Sequence, residues 1–226
     1  MLKILLTAAT VPEIAPTLHW LRQHFEESET EAFRHKNLTV VPCITGVGLT
    51  ATAWHLGRAL IAGSPDMVLQ AGIAGAFDTH FALGDVVSVV SEQLCHFGAE
   101  ERDGTISSVF HLGLVSPDEP PFIQGKLHNP AAANAAFLPV AHGLTVHTVH
   151  GEAGSIEKVR QNYPEVQIES MEGAAFFYGC LLAQKSFLEI RSISNYVEPR
   201  NRSAWNIPLA VESLNKVLIE MLTTIA

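Results

Sequence analysis

The feature that most constrains this chain is an alternation. Short apolar, β-branched runs at residues 4–8, 38–44, 67–71, 85–90, 144–149 and 188–194 are separated by stretches with helical spacing at 13–25, 49–62, 156–163, 172–184 and 204–223. Strand-length runs fed by helix-length segments pack as a parallel or mixed sheet with helices laid on its faces. In the last helical stretch Trp205, Leu209, Leu214, Leu218 and Met221 recur at intervals compatible with one apolar face. With 226 residues, 47% of them apolar and 16% charged, the chain can close one sizeable core. The expected fold is a single α/β domain over 1–226, with a central mixed, mostly parallel sheet flanked by helices.

The formal net charge of −9 excludes the clustered Lys and Arg that nucleic acids or anionic membrane surfaces require, so the expected partner is a small molecule. Cys43, Cys95 and Cys180 are odd in number and widely spaced, which argues against a disulfide framework or a zinc site. The apolar start ends at Pro12-Glu13 and reads as a first strand rather than a signal peptide. No run of about 18 apolar residues exists to span a membrane. A cytoplasmic location is expected. Residues 97–130 carry glycines, four prolines and no sustained period, so they read as a long irregular excursion, the kind that often serves as a functional lid.

Several segments can carry chemistry. Thr45-Gly-Val-Gly-Leu-Thr-Ala51 follows a strand, opens a helix and formally matches a dinucleotide fingerprint. That fingerprint needs an acid at the end of the next strand to hold a ribose hydroxyl. Here Asp66 precedes that strand, so the segment reads as a tight turn and a helix N-terminus that could face an anion. No cofactor is expected. Gln70-Ala-Gly-Ile-Ala-Gly-Ala-Phe77 places small residues after a buried strand, where ligands of open α/β sheets bind or where a turn simply packs. Glu13 and Glu172 each open a helix, where an acid is favoured by the helix dipole even without a function. Ile190-Arg-Ser-Ile-Ser-Asn195 ends a buried strand in polar residues at the same sheet edge. His147 and His150 fall at odd spacing on a strand-like run, which puts them on opposite faces and argues against a metal site.

Taken in order, Glu13, Thr45-Gly-Val-Gly, Ala71-Gly-Ile-Ala-Gly75, Leu83-Gly-Asp-Val, Ser170-Met-Glu-Gly and Arg191-Ser-Ile-Ser-Asn195 resemble the purine nucleoside phosphorylase/nucleosidase superfamily over nearly the whole chain. The run from Ser194 to Pro208, with Glu169-Ser-Met-Glu-Gly, looks most like the futalosine hydrolase branch. The resemblance implies that Glu13 activates water, that Glu172 holds the ribose hydroxyls above Met171, and that Arg191 orders the water-side network. It further implies that Asn195 contacts the purine at N7, that Gly75 belongs to the substrate site, and that Trp205 covers the 5′ substituent. The substrate it implies is a 6-oxopurine nucleoside, and the assembly a dimer or larger homo-oligomer.

Two departures separate this chain from the adenine-specific nucleosidases that the resemblance brings in. They carry Asp where it has Asn195, and Ser where it has Ile73. The chemistry asks for such a set. Cleaving the bond to a purine builds positive charge on the ribose and negative charge on the base, which calls for a positioned water, a ribose grip and a donor at N7. Three alternatives stay open on the sequence: an adenine nucleosidase, a phosphorylase using phosphate in place of water, and a nucleoside-binding module without chemistry. The 5′ side is expected to lie under Trp205 and the 97–130 excursion, with Arg200 or Arg202 near a carboxylate.

Overall fold

The strand β1 (Leu2–Ala8) faces two cores at once. Its even positions Ile4, Leu6 and Ala8 pack into one cluster, while Leu5 belongs to another. That is the period-2 alternation of a strand covered on both faces. The first cluster is built with α1 (Val11–His24) and α5 (Ile207–Ile225), and the second with α2 (Leu49–Gly63) and α4 (Gly173–Leu182). A third, smaller cluster gathers Leu144, Val146, Ile156, Val159 and Val166 beneath α3 (Ala153–Asn162). The structure, a computed structural model, describes all residues except 30, 78 and 132–136.

The remaining strands are β2 (Glu26–Glu27), β3 (Phe33–His35), β4 (Leu38–Ile44), β5 (Met67–Ala76), β6 (Val86–Leu94), β7 (Gly98–Glu100), β8 (Ile106–Ser108), β9 (Leu127–His128), β10 (Val140–Thr145), β11 (Ile168–Ser170) and β12 (Ser186–Tyr196). The main sheet runs β11-β10-β6-β12-β5-β1-β4-β3-β2, with β9 on β6. Its three longest pairings, β5 with β12, β1 with β4 and β6 with β10, are parallel, and β6 meets β12 antiparallel. Because β11 pairs with β10 on one side and with the end of β5 on the other, five strands close on themselves like a small barrel. The expected single α/β domain with a mixed sheet and flanking helices is what forms.

Some boundaries move for physical reasons. The strand expected at 144–149 is β10, four residues earlier. Val146 and Val149 imitate strand burial because they pack under α3 rather than in the sheet. The last helix begins at Ile207 because the Asn206 side chain caps it by accepting from the Leu209 N–H, and residues Arg202–Ala204 form a 3-10 turn instead. Its buried stripe is Ala210, Leu214, Leu218 and Leu222, with Leu209 on the exposed side. The 97–130 excursion holds the β7–β8 hairpin and β9.

Candidate active site

The carboxyl ends of β5 and β12 and the starts of α1 and α4 converge on a cavity of about 310 Å³. Glu13, Met171, Glu172, Gly75, Asn195 and Trp205 all line it. Each is placed by an element end, where side chains leave the sheet without interrupting its ladder.

Glu13 sits in the first turn of α1. One carboxylate oxygen accepts from the Thr10 N–H and hydroxyl, both at 2.8 Å, and the other from the Ile73 N–H at 3.2 Å. The first pair is a helix cap, so the bland expectation for this acid is fulfilled. The second bond turns the other oxygen across to the end of β5. The backbone of Ile73 supplies this donor whatever its side chain.

Glu172 is fixed from two directions. Its Oε1 accepts from the Gly48 N–H at 3.0 Å and its Oε2 from Arg191 at 3.2 Å. Gly48 caps α2 at φ +89°, a conformation that costs a glycine nothing, so the anion faced by the Thr45-Gly-Val-Gly turn is the Glu172 carboxylate.

Arg191 lies beneath the cavity floor, 1% exposed. Its Nε donates to Glu189 at 2.7 Å, and its Nη1 reaches both Glu172 and the Ile73 carbonyl. A side chain at position 72 would collide with this guanidinium at 2.4 Å and with Glu13 at 3.0 Å, which explains Gly72. Burial opposes the charge on Arg191, yet Glu189 and Glu172 hold it protonated above its usual range. Deeper still, Glu92 takes a hydrogen bond from Thr145 at 2.7 Å and is wedged against Gly143 and Gly173. Burial and the neighbouring Glu189 hold its carboxyl well above the usual carboxylate range. Glu172 and Glu189 thus share one guanidinium, with a third carboxyl, Glu92, buried close by.

Asn195 ends β12. Its Oδ1 accepts from Ser194 and its amide nitrogen donates to the Tyr196 carbonyl, which leaves one amide hydrogen for a ligand. Beside it, Glu169 is buried and takes two hydrogen bonds from His150. Trp205 forms the opposite wall, with the Arg200 guanidinium 5.3 Å from its ring centre.

The structure therefore brings Glu13, Gly75, Met171, Glu172, Asn195 and Trp205 to one cavity with Arg191 beneath it, whereas Arg200 and Arg202 do not line it. It does not bring in the excursion. Among the described residues none from 97–130 lines the cavity, contrary to the expected cover. His147 is exposed, and His150 turns to Glu169. Glu92, Glu169 and Glu189 escaped the sequence reading. A signal existed for Glu189, because an acid and a base two apart on an apolar strand, Glu189 and Arg191, must share one face.

Two fixed carboxylates, Glu13 and Glu172, and an amide donor at a strand end thus share one cavity. Residues 3–223 match the family model described as the phosphorylase superfamily. The chain belongs to the phosphorylase superfamily. It is 32% identical over 175 residues to a futalosine hydrolase of Acidothermus cellulolyticus, covering 76% of this chain and 70% of that one. A second futalosine hydrolase, from Streptomyces coelicolor, is 32% identical over 167 residues, covering 73% and 68%. Among solved structures, the native futalosine hydrolase of Helicobacter pylori superposes with a TM-score of 0.78 at 16% identity, covering 99% of this chain and 98% of that one. Within the superfamily the chain is a nucleosidase, an N-glycosyl hydrolase.

Proposed function

We propose that the protein hydrolyses the N-glycosidic bond of a 6-oxopurine nucleoside, futalosine, to release hypoxanthine and dehypoxanthine futalosine in menaquinone biosynthesis. The observation that carries this reading is Asn195 in the same cavity as Glu13 and Glu172. The Glu13 oxygen bonded to Ile73 removes a proton from the attacking water. Glu172 accepts from the ribose hydroxyls while Arg191 and Gly48 hold it still, each such bond to a charged group being worth about 1.5–3 kcal/mol. Met171 lines the ribose side. As the base leaves with negative charge, the free amide hydrogen of Asn195 is aimed at N7. The futalosine hydrolase relatives support the choice of substrate.

Assaying base release from futalosine, inosine and methylthioadenosine side by side tests it. Futalosine should be cleaved fastest, and a preference for methylthioadenosine would overturn the reading. The phosphorylase alternative is disfavoured because the donors that could hold phosphate are engaged internally: Gly48 with Glu172, and Arg191 with Glu172 and Glu189. Ribose 1-phosphate release in phosphate buffer would restore it. A homo-oligomer of two or more copies belongs to the same proposal. Its support is the apolar surface of α2 and α4, where Trp54, Ile61, Tyr178 and Leu182 are exposed, and sedimentation measures it. A cytoplasmic location is also proposed, supported by three free cysteines, with Cys95 pushed up to about 12 by burial. No helix among the described residues is long and apolar enough to cross a membrane.

A further inference from the structure

Glu189 is a buried carboxylate that lies outside the cavity and to which the mechanism assigns nothing. It is fully buried, two residues before Arg191 on β12, so both side chains leave the same face of the sheet. Its Oε1 accepts from Arg191 Nε at 2.7 Å, while its Oε2 has no hydrogen-bond partner among the described residues. Burying such a group is costly, and one carboxylate suffices to balance a buried guanidinium. Glu172 alone could balance Arg191. A second acid calls for a reason beyond neutralisation.

The reason lies in how Arg191 meets Glu172. Only Nη1 reaches it, at 3.2 Å, and the same nitrogen reaches the Ile73 carbonyl at 3.4 Å. Nη2 is buried and without a hydrogen-bond partner among the described residues. A guanidinium free to turn pairs with a carboxylate through two parallel bonds, which would bring Nη2 onto Glu172 beside Nη1. Glu172 has about four lone-pair sites, of which Gly48 and Arg191 now take one each. Two remain for the two ribose hydroxyls, and a forked Arg191 would take one of them.

We infer that Glu189 is a positioning residue: by holding Arg191 at Nε, it limits the guanidinium to one bond with Glu172 and keeps the other lone pairs for the ribose. This rests on the ribose grip assigned to Glu172 above and deepens it. Glu189 also balances the Arg191 charge, so the Glu172 charge stays available to the substrate. Without Glu189, Arg191 closes on Glu172 and competes with the ribose hydroxyls. The damage therefore falls on substrates that carry those hydroxyls.

Steady-state kinetics on a ribonucleoside and its 2′-deoxy counterpart tests this with the whole protein. The pair is built on whichever of futalosine, inosine and methylthioadenosine is cleaved fastest, so the choice of base does not enter. Wild type should favour the ribonucleoside in kcat/KM by at least about tenfold, the range of one hydrogen bond to a charged group. Glu189→Gln keeps an oxygen for Nε but loses the charge, and it should cut that preference by about three- to tenfold, the fall borne mainly by the ribonucleoside. Glu189→Asp keeps the charge at a shorter reach, and its preference should lie between the two. If both substrates slow equally in Glu189→Gln, or neither slows, Glu189 only balances charge in the floor and the inference is overturned. Should that variant fail to fold, a wild-type preference in Glu189→Asp overturns it instead. A wild type that shows no preference for the ribonucleoside would remove the Glu172 grip itself, and the inference with it.

Discussion

The two ends of the cavity are built on opposite principles. At the end proposed to hold the ribose, Glu13, Glu172 and Arg191 come from three different elements and are bonded to one another's supports, with Glu189 and Glu92 buried beneath them. At the end proposed to take the 5′ arm, Trp205 stands behind a 3-10 turn, flanked by Arg200 and Arg202, which are exposed and paired with no carboxylate among the described residues. Hydrolysis needs the first kind of end, since an error of about 1 Å in a reacting group can cost a hundredfold in rate. Reading a long substituent needs only the second, and the stability invested in the buried charges is what the open wall lacks.

The comparison breaks first if the fixed end proves tolerant. Asn195→Asp should lose futalosine hydrolysis and move preference toward adenine nucleosides by up to about 10⁴-fold, because an ionised Asp meets O6 acceptor to acceptor. Relative rates on futalosine and its adenine counterpart measure this, and equal ratios in wild type and variant would show that Asn195 caps β12 and reads nothing. Next in size is Glu13→Gln. It should slow hydrolysis by at least about a hundredfold with folding intact, since the amide can still cap Thr10 through its oxygen. A lowered melting temperature with normal turnover would make Glu13 a helix cap alone. Glu172→Ala should also lose most activity. It also removes one of the two carboxylates bonded to the buried Arg191, with Glu189 remaining, so the loss of stability exceeds the few tenths of a helix-dipole contact. Thermal melting beside the activity assay separates the two effects.

What the sequence disclosed follows the same division. Strand cores and helix starts were legible because β1 and β5 are buried on both faces and so read as short unbroken apolar runs, and because Glu13, Glu172 and Asn195 sit where an element ends. The floor was less so: Glu189 has its partner Arg191 two residues along β12, but Glu92 is met by Thr145 from β10, and composition shows an acid in an apolar run without showing who faces it. The short strands β2, β3 and β11 were invisible for a related reason: two or three residues carry no period. The excursion looked like a lid because it lacks periodicity, and periodicity says nothing about where a loop lands.

A smaller effect comes from the deepest acid. The folded-state carboxyl of Glu92 titrates above its unfolded range, so the folded protein holds a proton that the unfolded chain has already released. Stability from this group is therefore complete below the ordinary carboxylate range and declines as pH rises toward the raised value. Glu92→Gln mimics the neutral acid. It should melt with wild type near pH 5 and above it near pH 8, and parallel melting curves across that interval would show that Glu92 is ionised in place.

The smallest effect belongs to the open wall. Arg200 lies over Trp205 and Arg202 sits in the exposed turn, so both can approach a carboxylate on the substrate's 5′ arm without being held there in advance. An Arg can grip a carboxylate with two parallel bonds, but at an exposed site water competes and salt screens the attraction. Replacing both by Ala should therefore raise the Michaelis constant for futalosine by about two- to fivefold, leave its turnover number unchanged, and leave inosine, which lacks the carboxylate, unaffected. The wild-type constant should itself rise with ionic strength, and the double variant should lose that dependence. If instead turnover falls and inosine suffers equally, the wall is coupled to the reacting end, and the division of the cavity into a fixed and an open half is wrong.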